Sequence, residues 1–126
     1  LIRVPTPRGD GTRLELRSPD PACNPYLALA VCLAAGLDGI ERGMTPPAEV
    51  PGDIFSMSPE ERQQLGIGRL PVNLAEALDA LAEDSVVTAA LGEHVVAHYL
   101  AGKRREWDDY SSRVTRWELE KYLVSY

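Results

Sequence analysis

The residues best suited to chemistry sit in the run Arg13-Leu14-Glu15-Leu16-Arg17, which leads directly into Ser18-Pro19-Asp20-Pro21-Ala22-Cys23-Asn24-Pro25-Tyr26-Leu27. Side chains alternate faces along a strand, so Arg13, Glu15 and Arg17 point one way while Leu14 and Leu16 point the other way, toward a core. The result is a row of cation, anion and cation. A carboxylate in such a row can ligate a divalent metal, and planar, permanently charged guanidinium forks suit phosphoryl or carboxylate oxygens. The same alternation also describes the solvent face of an ordinary antiparallel strand, where ion pairs are worth little.

Other reactive residues carry weaker signals. His94 and His98 stand at i and i+4 on one helix face beside Glu93, but the order His-Glu-x-x-His is absent and no third ligand is in sight. They are expected to be partly exposed structural histidines. Cys23 and Cys32 are nine residues apart, which on a helix places them on opposite faces where they cannot bridge each other. Reduced, buried or half-buried thiols are expected.

The elements that must position the charged row are two short strands at 2–4 and 12–17, joined by the loop Pro7-Arg8-Gly9-Asp10-Gly11. Helices follow. Asn24 as N-cap with Pro25 at the first helical position starts one that runs to Arg42 before Gly43. Prolines make 44–51 an extended linker. Ser58-Pro59-Glu60-Glu61 opens a short capping-box helix that stops near Gly66. Asn73 caps a third helix with Leu74, Ala77, Leu78 and Leu81 at helical spacing and Glu76, Asp79 and Glu83 outward. A segment over 85–91 precedes Gly92. The longest helix, 93–112, carries Val96, Tyr99, Leu100, Lys103, Trp107 and Tyr110 on one broad side, and a last one at 115–123 holds Trp117 and Tyr122. Two strands alone make no stable sheet, so both are expected to belong to a larger one.

Of 126 residues, 44% are hydrophobic and 25% charged, with a net charge of −6. No segment is apolar for the roughly 18 residues a membrane span requires, and no signal peptide is expected from the opening residues. The acidic balance argues against nonspecific nucleic-acid binding, because Lys103-Arg104-Arg105 is offset by Glu106, Asp108 and Asp109.

The segment from Leu1-Ile2-Arg3-Val4-Pro5 through the charged row to Gly36-Leu37-Asp38-Gly39-Ile40 resembles the C-terminal part of type I glutamine synthetases. The likeness continues through Met57-Ser58-Pro59-Glu60-Glu61-Arg62, Leu74-Ala75-Glu76-Ala77-Leu78, Ala90-Leu91-Gly92-Glu93-His94 and Trp107-Asp108-Asp109-Tyr110, with spacing nearest the Gram-positive-like subgroup. On that likeness the chain is the C-terminal segment of the catalytic domain. It divides into active-site strands at 1–20, an apolar helix at 24–42, a proline-rich linker and loop at 43–57, a helical region at 58–112 and an assembly helix at 113–126.

The fold class this resemblance implies is α+β: a predominantly α-helical segment whose two N-terminal strands belong to the curved antiparallel sheet of the glutamine synthetase catalytic domain. Glu15 then matches a ligand of the divalent ion, Mg2+ or Mn2+, that touches the ATP phosphates. Arg17 matches the catalytic arginine that contacts substrate glutamate and the transferring phosphoryl group. Arg3 and Arg13 match arginines beside ATP, and Arg8 falls near a basic residue in a loop that aligns poorly. The implied reaction is ATP-dependent synthesis of glutamine from glutamate and ammonia through a γ-glutamyl phosphate, in a cytoplasmic homo-oligomer of two stacked hexameric rings. The isolated segment is expected to be inactive.

Some relatives are switched off by nucleotidylation of a tyrosine after the linker. The aligned residue here is Phe55, which has no hydroxyl, so that control is expected to be absent. Trp117, Leu119, Tyr122, Leu123 and Tyr126 make the last helix resemble the extension that inserts into the facing ring. Two other functions stay open: a related ligase joining glutamate to a polyamine or other amine, and a non-catalytic assembly or docking module.

Overall fold

Short polar caps and left-handed glycines set the helix ends in the computed structural model, which describes residues 2–50 and 52–123. Helix α1, Pro25–Glu41, begins where the Asn24 side chain accepts from the amides of Tyr26 and Leu27, and it stops at Arg42 ahead of Gly43, whose φ is 61°. The capping box expected at Ser58 is complete, with Glu61 returning the bond, and opens α2, Pro59–Gln64. Asn73 accepts from the Glu76 amide to start α3, Leu74–Glu83.

Two further caps are present. Asp84 accepts from the Val86 and Val87 amides to open α4, Ser85–Leu91, and Thr115 with Glu118 forms a second capping box at the start of α6, Arg116–Tyr122. Between α4 and α5, Glu93–Ser111, stands Gly92 at φ 77°, a left-handed conformation that a side chain disfavours. One glycine therefore turns what would be a single rod into two helices.

The helices pack in two seams. Along one, α1 rests on α4 through the half-buried row Leu27, Val31, Ala34 and Asp38, spaced at three and four residues. Along the other, α3 rests on α5, and α4 touches both. Leu78 of α3 is the buried hydrophobic side chain of the described residues, 2% exposed. On α5, Val96, Leu100, Lys103 and Trp107 are half-buried, whereas Tyr99 and Tyr110, expected on the same side, are exposed. The Arg104–Asp79 ion pair, 2.8 Å, ties α5 to α3 at the rim of this seam.

Much apolar surface stays uncovered. The chain exposes 10790 Å², against about 6,600 Å² for a compact monomer of 13.8 kDa. Tyr26, Leu29, Leu33 and Ile40 form an exposed stripe on α1 away from α4. The thiols expected to be buried or half-buried are both free and exposed, because Cys23 lies in the turn before α1 and Cys32 on its uncovered side. Helix α6 packs extensively on no other described element and exposes Trp117, Leu119, Tyr122 and Leu123, while Tyr126 lies outside the described residues.

Replacing Leu78 by Ala should therefore remove about 2–5 kcal/mol from the unfolding free energy of the helical unit, read by circular dichroism in a urea titration. A loss below about 0.5 kcal/mol, the range of ordinary surface substitutions, would show that the α3–α5 seam is not what holds the helices.

Candidate functional site

The charged row is set by a hairpin. Strand β1, Ile2–Arg3, pairs antiparallel with β2, Glu15–Leu16, in the register Ile2 with Leu16 and Arg3 with Glu15. Both strands are shorter than expected, since among the described residues neither has a second neighbour to extend its hydrogen bonding. Their connection contains a 3-10 turn, Gly9–Gly11, with Gly9 at φ 68°. A Cβ on Gly11 would stand 3.0 Å from the Pro7 Cβ, so glycine lets this loop fold onto itself.

That register places Arg3 opposite Glu15. Its Nη1 donates to Glu15 Oε2 at 3.0 Å, while Arg13 donates from Nε at 3.1 Å and Nη2 at 2.9 Å to Glu15 Oε1. Each carboxylate oxygen thus takes a different arginine. The Arg3 and Arg13 hydrogen bonds, followed by the charges of Arg3 and Arg17, hold the Glu15 carboxyl below the ordinary glutamate value of 4.5. Its side chain is 26% exposed, with Arg3 at 56% and Arg13 at 53%. Four arginines, Arg3, Arg8, Arg13 and Arg17, against Asp10 and Glu15 make this hairpin net positive in an otherwise acidic chain.

The structure thus brings together Arg3, Arg13 and Glu15, with Arg17 acting on Glu15 through its charge. Arg8 is not brought in. Its Nη1 donates to the carbonyls of Pro5, Thr6 and Pro7 at 2.6, 3.0 and 3.2 Å, so its guanidinium ties down the loop. Leu14 and Leu16, expected to face a core, are 67% and 40% exposed, because no described element covers that side of the hairpin. The Arg3–Glu15 bond has no local sequence signal, since twelve residues separate the partners and the loop alone decides which residues face each other.

Among the described residues no group of three or more His, Cys, Asp and Glu side chains assembles a metal site. Neither of the open grooves found among the helices, one by Ser85, Gly92 and Val96 and one by Val72, Trp107 and Tyr110, is lined by a hairpin residue. No helix among the described residues is long and apolar enough to cross a membrane. The hairpin is therefore an open, cationic surface with one ion-paired carboxylate, suited to oxygens of a polyanion and able to give a cation one ligand.

Residues 1–122 match the family described as the glutamine synthetase catalytic domain. The chain is 56% identical over all 126 residues to a glutamine synthetase of Clostridium saccharobutylicum, covering 28% of that protein. It is 55% identical over 126 residues to one of Thermus thermophilus, again 28% of its length. Among solved structures, one titled GmaS/ADP complex superposes with a TM-score of 0.79 at 43% identity, over 89% of this chain and 25% of the other. The chain spans little more than a quarter of the length of the curated relatives it matches.

Carbon-13 NMR of the Glu15 carboxyl should show a midpoint below 4.5, moving up toward that value in Arg3→Gln. Because the folded value is the lowered one, the hairpin gains stability from this group above the ordinary range and loses it as pH falls through the lowered value. An unshifted midpoint in the unsubstituted chain would mean that the two arginine bonds do not persist in solution.

Proposed function

Because this chain belongs to the family of glutamine synthetase catalytic domains, we propose that it is the C-terminal segment of a glutamate–ammonia ligase, in which its hairpin lines the phosphoryl-transfer site. The observation that carries the reading is Glu15 held between Arg3 and Arg13, with Arg17 beside it on the same strand run. The full-length enzyme, in this reading, joins glutamate and ammonia at the expense of ATP through a γ-glutamyl phosphate. The curated relatives at 55–56% identity carry the name glutamine synthetase, which favours ammonia over another amine.

The donor set suits the groups this reaction needs. Guanidinium forks donate bidentately to triphosphate or carboxylate oxygens, and the complex of a structural neighbour with ADP supports a nucleotide on this scaffold. Mg2+ is commonly held by one or two carboxylates together with substrate phosphates and water, so Glu15 fits as one ligand whose companions lie outside this segment. The bound divalent ion would supply neutralisation of charge on the phosphate oxygens.

The chain's own residues do the rest. Arg3 and Arg13 keep Glu15 ionised before substrate arrives. When phosphate oxygens take over the guanidinium N–H groups, lone pairs on the Glu15 carboxylate are freed. Arg17 faces substrate glutamate and the transferring phosphoryl group, whose charge spreads over equatorial oxygens where a fixed cation stabilises it. Alone, the segment is expected to be inactive, because the ammonia site and the other metal ligands are not among its residues and misplacement by even about 1 Å can cost on the order of 100-fold.

Assembly follows from the uncovered apolar surface. Helix α6, which packs extensively on no other described element, is read as the extension that docks on a facing ring in a cytoplasmic double hexamer.

In the full-length enzyme, Glu15→Ala should lower phosphate release dependent on ATP, glutamate and ammonia by roughly 100- to 1000-fold and raise the metal concentration needed. Turnover near the unsubstituted level would overturn the assignment of Glu15, and a preference for another amine would overturn ammonia. Removing residues 115–126 should halve the particle mass seen by sedimentation while leaving single rings intact; an unchanged mass would return α6 to its own subunit.

A further inference from the structure

The exposed pair His94 and His98 lies at the start of α5, away from the hairpin and absent from the reaction proposed above. Their ring centroids are 4.2 Å apart. Two imidazoles bound at right angles to one ion, with metal–nitrogen bonds of about 2.0–2.1 Å, have centroids roughly 4.5 Å apart, so the free rings already stand near that separation. Sharing one helix face keeps them there.

The tautomer of one ring follows from its partner. His98 Nδ1 lies 2.8 Å from the His94 carbonyl oxygen, which can only accept, so Nδ1 carries the proton. In the neutral ring the Nε2 lone pair is then left outward. A backbone carbonyl orienting one ring nitrogen while the other is offered to a metal is the usual arrangement of ligating histidines. Among the described residues neither ring is in an ion pair with a carboxylate. Both are exposed, so no buried contact would be broken by turning toward an ion.

We propose that His94 and His98 form a two-histidine site for a borderline divalent transition ion, of the copper, nickel and zinc class, with water completing the coordination. Imidazole ligands select this class over Mg2+, and affinity for them rises toward Cu2+. The site joins two successive turns at the start of α5, so an occupied site staples the helical conformation of that end of α5. A third protein ligand is not required; its absence makes the site weaker and readily reversible.

The test titrates Cu2+ alone into the full chain with Cys23 and Cys32 changed to Ser, so that the exposed thiols do not compete. Calorimetry should give one ion per chain, and electron paramagnetic resonance should show two nitrogen ligands. His94→Gln and His98→Gln should each weaken binding by roughly tenfold or more and leave a one-nitrogen signal. The ion should raise the thermal midpoint of the unsubstituted pair and of neither variant. Equal affinity in the variants, or a one-nitrogen signal when both histidines are present, would overturn the proposal.

Discussion

Apolar surface that the chain does not cover governs this structure. With 10790 Å² exposed, far above the about 6,600 Å² of a compact monomer of this mass, the helices make two narrow seams and one buried leucine instead of a core. Beyond those seams, further stability from burial depends on contact with something else. The stripe Tyr26, Leu29, Leu33 and Ile40, the outer face of the hairpin and the apolar side of α6 are three such surfaces. Their presence explains why thiols expected inside are outside. It also accords with the chain's matching little more than a quarter of its relatives' length.

Against that background the hairpin is locally complete. Its electrostatics need no core, because Glu15 takes one arginine on each oxygen and a third charge from its own strand run. Exposed ion pairs contribute little to folding. Their value here is placement: the two arginines hold the carboxylate ionised and fix both of its oxygens. The acidic remainder of the chain leaves the hairpin as a local positive surface.

Helix boundaries were legible in the sequence wherever a cap is local. Asn24, Ser58 and Asn73 bond to amides two or three residues on, so the pattern and the geometry are the same fact. Asp84 obeys the same rule yet sits in a run where α3 has barely ended, and Gly92 is needed to separate two segments of similar composition. Burial was less legible. Helical spacing put Ala77, Tyr99 and Tyr110 on inward faces, but α3 and α5 meet along narrower rows than the apolar residues occupy.

By itself the sequence put the charged residues Arg13, Glu15 and Arg17 within five positions of one another, close enough for the Arg13 bonds and the Arg17 charge to reach Glu15 although β2 is only Glu15–Leu16. It likewise determined the capped helix starts and the absence of a hydroxyl at Phe55, which is 98% exposed in the 3-10 turn Ile54–Ser56. Only the tertiary structure decided that Arg3 meets Glu15, that Arg8 turns back on Pro5 instead, and that Leu14 and Leu16 face outward. Those outcomes rest on loop closure and on which surfaces find partners. Both join residues distant in the chain, and local spacing carries no record of such distances.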